Sequence, residues 1–148
     1  IVQDANKITY LIDEKGKELW RKSLGGKILD NVSQIDFYKN GTKYREGKAE
    51  SHVANKEVFK GFVTYFYPEG SILKKEKYKD GLLDGPYKEY YPTGEVKVEG
   101  VYGEGFKQRA WKIYYKTGKI KTKGKYRNDK KVGEWTTFYR DVYYPNQN

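Results

Sequence analysis

Residues 61–139 read GFVTYFYPEGSILKKEKYKDGLLDGPYKEYYPTGEVKVEGVYGEGFKQRAWKIYYKTGKIKTKGKYRNDKKVGEWTTFY, and one pattern returns in them at a fixed spacing. Val63, Tyr87, Trp111 and Trp135 stand 24 residues apart, as do Phe66, Tyr90, Tyr114 and Phe138, and then Tyr67, Tyr91, Tyr115 and Tyr139. Each unit continues with a glycine (Gly70, Gly94, Gly118), a β-branched residue (Ile72, Val96, Ile120) and a tyrosine (Tyr78, Tyr102, Tyr126). A period of 20–50 residues marks a repeat architecture, in which a unit buries its apolar surface mainly against its neighbours.

Each unit reads as a hairpin. Val63-Thr64-Tyr65-Phe66-Tyr67 is rich in strand formers, and Tyr67-Pro68-Glu69-Gly70 reverses the chain. Pro68 presets φ for a type I turn, and Gly70 supplies the left-handed residue that closes a three-residue loop with a bulge. Strict alternation along the return strand puts Ile72, Lys74, Glu76 and Tyr78 on one side, with Val96, Val98, Gly100, Tyr102 and Ile120, Thr122, Gly124, Tyr126 following them. The other side is mostly lysine. Gly100 and Gly124 stand mid-strand, where glycine weakens a sheet unless a large group lies over it, and Trp111 and Trp135 are the expected covers. Asp-Gly and Asn-Asp pairs make the links between units, with Leu82, Phe106 and Val132 expected to tuck each link onto the array.

Working outward, Gln34 to Gly47 is a degraded first copy, because Phe37-Tyr38-Lys39-Asn40-Gly41 has the aromatic pair and turn of Phe66 to Gly70. The two turns are 29 residues apart, which places an insertion in the polar stretch Ala49 to Glu57. Ile8 to Ile12 and Lys17 to Trp20 flank a turn and predict a leading hairpin, and Ile28-Leu29 is a short strand or packed loop. The expected organisation is a lead-in over 1–33, a degenerate repeat over 34–60, and regular repeats with a C-terminal cap over 61–148, all in one elongated domain.

With 30 Lys and Arg against 20 Asp and Glu, the formal charge is +10, which favours acidic partners and also keeps a Tyr-rich sheet soluble. Cysteine is absent, which excludes disulfides and thiol chemistry. No apolar run approaches the ~20 residues of a membrane-spanning helix. The opening Ile1-Val2-Gln3-Asp4 fits a removed signal peptide, hence export or a periplasmic location, and fits an arbitrary boundary with a cytoplasmic protein equally. His52 is the only histidine, so no ordinary zinc site is expected. Glu89, Glu95 and Glu99 fall at surface positions of the repeat, and the glycines open no helix after a strand as a phosphate loop would. The reading is a protein with no catalytic residues, no metal and no cofactor.

The pattern Gly-x-aromatic-x-x-aromatic-Tyr-x-x-Gly-x-Ile/Val, followed by Gly and Tyr, is carried by Gly85, Tyr87, Tyr90, Tyr91, Gly94, Val96, Gly100 and Tyr102, and in part by Gly133, Trp135, Phe138 and Tyr139. It resembles the MORN repeat in its bacterial variant form, often labelled YwqK-like antitoxin. Val63, Glu76 and Arg109-Ala110 depart from the pattern at single positions. The resemblance implies an all-β fold: tandem β-hairpin repeats in one elongated, twisted, open antiparallel sheet. It also implies a scaffold or interaction surface, with antitoxin-like neutralisation of a partner protein as one form. Two sets of residues are candidates for binding. Tyr65, Tyr67, Tyr91, Tyr115 and Tyr139 would meet a protein partner. Lys75, Lys77, Lys97, Lys121, Lys123 and Lys125 would meet anionic lipid head groups or nucleic acid.

Overall fold

The computed structural model describes residues 2–3, 7–12, 18–19, 33–51 and 57–139. They form one antiparallel sheet of thirteen strands: β1 (Val2–Gln3), β2 (Lys7–Ile12), β3 (Glu18–Leu19), β4 (Ser33–Tyr38), β5 (Lys43–Ser51), β6 (Val58–Phe66), β7 (Ile72–Lys79), β8 (Leu82–Leu83), β9 (Gly85–Tyr90), β10 (Val96–Gly103), β11 (Phe106–Tyr114), β12 (Ile120–Arg127) and β13 (Lys130–Thr137). The order across the sheet is β1-β2-β4-β5-β6-β7-β9-β10-β11-β12-β13, with β3 on β2 and β8 on β7. The sheet is open, with β1 and β13 at the ends of the strand order. The leading hairpin is present, Leu11 facing Leu19 and Ile12 facing Glu18. Ile28-Leu29 lies outside the described residues, as do His52, Asn55 and Lys56 of the expected insertion.

Two kinds of reversal alternate along the array. At one edge Gly41, Gly70, Gly94 and Gly118, all with positive φ, donate their N–H to the carbonyls of Tyr38, Tyr67, Tyr91 and Tyr115, so the degraded copy uses the same turn as the regular ones. At the other edge the links are two-residue turns with both φ positive: Asp80-Gly81, Glu104-Gly105 and Asn128-Asp129. Such turns match the right-handed twist of the strands they join.

The strands are not regular, and the irregularity repeats. A first register slip falls opposite the pairs Asp36/Phe37, Tyr65/Phe66, Glu89/Tyr90 and Ile113/Tyr114, leaving Tyr44, Leu73, Lys97 and Lys121 as the extra residues. Strict alternation therefore fails there. Ile72, Val96 and Ile120 pair with Phe66, Tyr90 and Tyr114 and join the face that carries lysine, instead of sharing a side with Tyr78, Tyr102 and Tyr126. A second irregularity follows Gly61, Gly85, Arg109 and Gly133, 24 residues apart and all left-handed. Arg109 takes this conformation at φ 58° without being glycine.

The buried hydrophobic core is small: Ala49, Phe59 and Val63, with Tyr65 and Tyr78 against them. Ala49 corrects the expected loop boundary, since it lies in β5 opposite Phe59 and is fully buried. The strand continues as far as Ser51 because Ala49 has an apolar partner to pack on. Beyond this core, rings take over. Trp111 lies flat on Gly100 and Trp135 on Gly124; in both places an added methyl would come closer than 3.0 Å to three indole carbons. The mid-strand glycines are thus covered by rings, as expected.

Candidate functional site

The two faces of the sheet differ in chemistry. One carries a spine of rings: Tyr87, Tyr102, Trp111, Tyr126 and Trp135 meet successively edge-on, with centroids 5.3, 5.2, 5.9 and 4.9 Å apart. Tyr87 and Trp111 are buried, while Tyr102, Tyr126 and Trp135 stay partly exposed. Lys107 places its Nζ over both Trp111 and Tyr126, at 5.2 and 5.1 Å, and Lys131 covers Trp135 at 4.7 Å. Each of these lysines sits opposite the tyrosine of the preceding return strand, Tyr102 or Tyr126, so the register delivers its amine to the rings. Leu82 and Phe106 do not tuck fully: both stay about half exposed, Leu82 resting beside Gly105.

Toward β4 this face becomes polar. Gln34 and Asp36 are 0% and 1% exposed. Arg45 pairs with Asp36 at 2.6 Å while its guanidinium lies 4.6 Å from the Phe59 ring. Gln34 donates to both Asp36 oxygens at 3.2 and 3.1 Å. Burial alone would lower the Arg45 pKa, but the Asp36 charge and hydrogen bond reverse it, and the net shift is upward. The buried Glu76 accepts from Tyr78 at 2.7 Å and lies 3.5 Å from Lys74 Nζ. Burial, then the bond to Glu76, pushes the Tyr78 hydroxyl well above its ordinary value. Tyr87 is raised for the same reasons through Glu89, its hydrogen-bond partner. These carboxylates are engaged by tyrosine hydroxyls that resist ionisation, and among the described residues no three or more His, Cys, Asp or Glu gather as a metal site would need.

The tyrosines that close the turns have a separate duty. Tyr38 donates its hydroxyl to the Phe66 carbonyl at 2.8 Å, Tyr67 to that of Tyr90 at 2.6 Å, Tyr91 to that of Tyr114 at 2.6 Å, and Tyr115 to that of Phe138. Each unit thus reaches forward to the next. Of the partner-binding residues expected from sequence, Tyr67, Tyr91 and Tyr115 form this row. Tyr65 stands against the buried hydrophobic core and edge-on to Tyr44, and Tyr139 is 90% exposed.

The opposite face is basic. Cross-strand pairing aligns Glu46, Thr64, Lys75, Lys88, Glu99, Lys112, Lys123 and Thr136 in one row running along the array. Lys77 and Lys125 lie one pleat away, Lys77 with its Nζ 5.5 Å from the exposed Phe62 ring. Lys97 and Lys121 are the extra bulge residues and place their amines 5.7 Å from the rings of Tyr91 and Tyr115. Lys88 and Lys112 escape a reading confined to the return strands, although the sequence carries their signal: they occupy one repeat position with Thr64 and Thr136. Glu99 accepts from the Tyr114 hydroxyl, and burial followed by that bond pushes Tyr114 up to about 12.

The fold is an open sheet of in-phase hairpins with an aromatic face and a basic face. The family model described as the MORN repeat variant matches three tandem segments, residues 63–80, 83–103 and 110–128. A comparison with curated proteins returns no match. MORN repeats are in general protein or membrane interaction modules, and the family is generally non-catalytic. Among the described residues no helix is long and apolar enough to cross a membrane.

Proposed function

We propose that this chain is a non-catalytic scaffold whose ring-bearing face holds a partner protein. The observation that supports the reading is the exposed part of the spine: the rings of Tyr102, Tyr126 and Trp135 stay partly exposed on one side of a single sheet, with Lys107 and Lys131 already over Tyr126 and Trp135. Partly exposed Tyr and Trp with basic neighbours are the residue types that dominate protein interfaces. Tyr65, Tyr67, Tyr91 and Tyr115 belong to this reading through their ring surfaces, their hydroxyls having internal work, and Tyr139 through its exposure. A photo-reactive side chain at Tyr102 or Tyr126 should give a single covalent adduct with one protein in the native cell extract, and the isolated partner should lose affinity for a Tyr126→Ala, Trp135→Ala variant. Adducts that form only with the same group at Lys88, on the other face, would reject the proposal.

A further inference from the structure

The basic face carries a second periodic feature beside its lysines. Phe66, Tyr90 and Tyr114 lie two residues along their strands from Thr64, Lys88 and Lys112, hence on the same side of the sheet and ~7 Å away, and Phe138, just past the end of β13, holds the same repeat position. All four rings are partly exposed. The face therefore has two parallel rows along the array axis, one of amines and one of rings. The ring row spans six strand steps, ~29 Å at ~4.8 Å each. Glu99, the carboxylate within the central part of the amine row, is bound by the Tyr114 hydroxyl and flanked by Lys88 and Lys112; Glu46, at the far end, is paired with Lys43 at 3.0 Å. The net potential of the row is positive.

We propose that this face binds single-stranded nucleic acid laid along the array axis, its phosphates on Lys75, Lys88, Lys112 and Lys123 and its bases against Tyr90 and Tyr114. The arrangement is that of a stacking platform beside a charged track. A charged lipid surface engages cations and interfacial rings without needing them in step, whereas a single strand uses a ring row in register with the cations, and a duplex hides the base faces that rings recognise. The proposal concerns the side opposite the partner-binding face and does not rest on that reading.

The test uses the full chain and a fluorescein-labelled twelve-residue oligothymidylate, followed by anisotropy. Binding is expected to weaken with salt at a log–log slope of about −3, since four phosphate contacts contribute roughly 0.7 each on a single strand. An abasic oligomer of equal length and charge should bind at least tenfold more weakly. Lys88→Glu with Lys112→Glu should cost at least tenfold, whereas Lys107→Glu with Lys131→Glu, on the ring-spine face, should change binding less than twofold. Equal affinity for the abasic oligomer would overturn base stacking. Binding to phosphatidylserine vesicles without binding to the oligonucleotide, or binding to neither, would overturn the proposal as a whole.

Discussion

Replacing Gly100 with alanine tests the central packing claim most directly. The new methyl would sit closer than 3.0 Å to three carbons of the Trp111 indole, whereas ordinary contact begins at 3.4 Å. Trp111 is only 4% exposed and is bounded by Tyr87, Tyr102 and Tyr126, so the ring cannot move alone. Overpacking of this kind costs about 1–3 kcal/mol. Tilting the ring also strains the indole N–H bonds to the Val101 and Gln108 carbonyls at 3.3 and 3.0 Å, together worth about 1 kcal/mol. The loss of backbone freedom in the unfolded chain returns about 0.4–1 kcal/mol. The net cost is about 1–3.5 kcal/mol, or a melting temperature lower by roughly 3–12 °C for a chain of this size. Thermal and urea unfolding followed by tryptophan fluorescence measures it. Gly124→Ala should cost less, because Trp135 is partly exposed on the last described strand and can lift away. In a Trp111→Ala background the Gly100→Ala penalty should vanish. A Gly100→Ala protein that melts with the wild type, or a penalty that survives removal of the indole, would refute the argument.

Other expectations follow from separate features. Arg109→Gly relieves a left-handed non-glycine residue at φ 58° and should raise stability by about 0.5–1 kcal/mol in urea unfolding, the strain removed exceeding the added chain entropy; a lower midpoint contradicts it. Arg45→Met strands Asp36, which is 1% exposed, and should cost about 3–5 kcal/mol in the same assay. Tyr91→Phe removes the bond to the Tyr114 carbonyl and should cost about 1 kcal/mol, while Tyr139→Phe should stay within about 0.5 kcal/mol of wild type. Alkaline pH acts through the tyrosines. In the folded protein Tyr78, Tyr87 and Tyr114 ionise above the ordinary value of 10.0, Tyr114 at about 12 and the other two higher, so the stability they contribute is complete below pH 10 and is lost progressively as pH rises above it, for Tyr114 up to about 12 and for Tyr78 and Tyr87 further. Absorbance of phenolate should accordingly show a late-titrating group of tyrosines that ionise together with unfolding.

The hairpins, both kinds of turn and the ring-on-glycine contacts are legible because each depends on residues that recur every 24 positions: Gly70, Asp80-Gly81, and Trp111 over Gly100. The face assignment of Ile72, Val96 and Ile120 is not. A bulge adds one residue without requiring any particular side chain, and Leu73, Lys97 and Lys121 share no chemistry that announces it. The lysine row is half visible, because half of it comes from outgoing strands through Lys88 and Lys112. The buried Gln34 and Asp36 and the partly buried Arg45 are hidden for a different reason: a polar residue is ordinarily read as exposed, and only the register of β4 on β5 brings these three together.

The hydroxyl of each turn tyrosine points one unit ahead, and every such junction has the same donor position and the same accepting carbonyl. Interior boundaries of the array are therefore interchangeable. A gene segment encoding one whole unit can be duplicated or excised and still meet a matching neighbour on both sides, so long as 24 residues move at once. The length of such a protein is free to change in steps of one hairpin, while a shift of even a single residue is opposed at every joint it crosses.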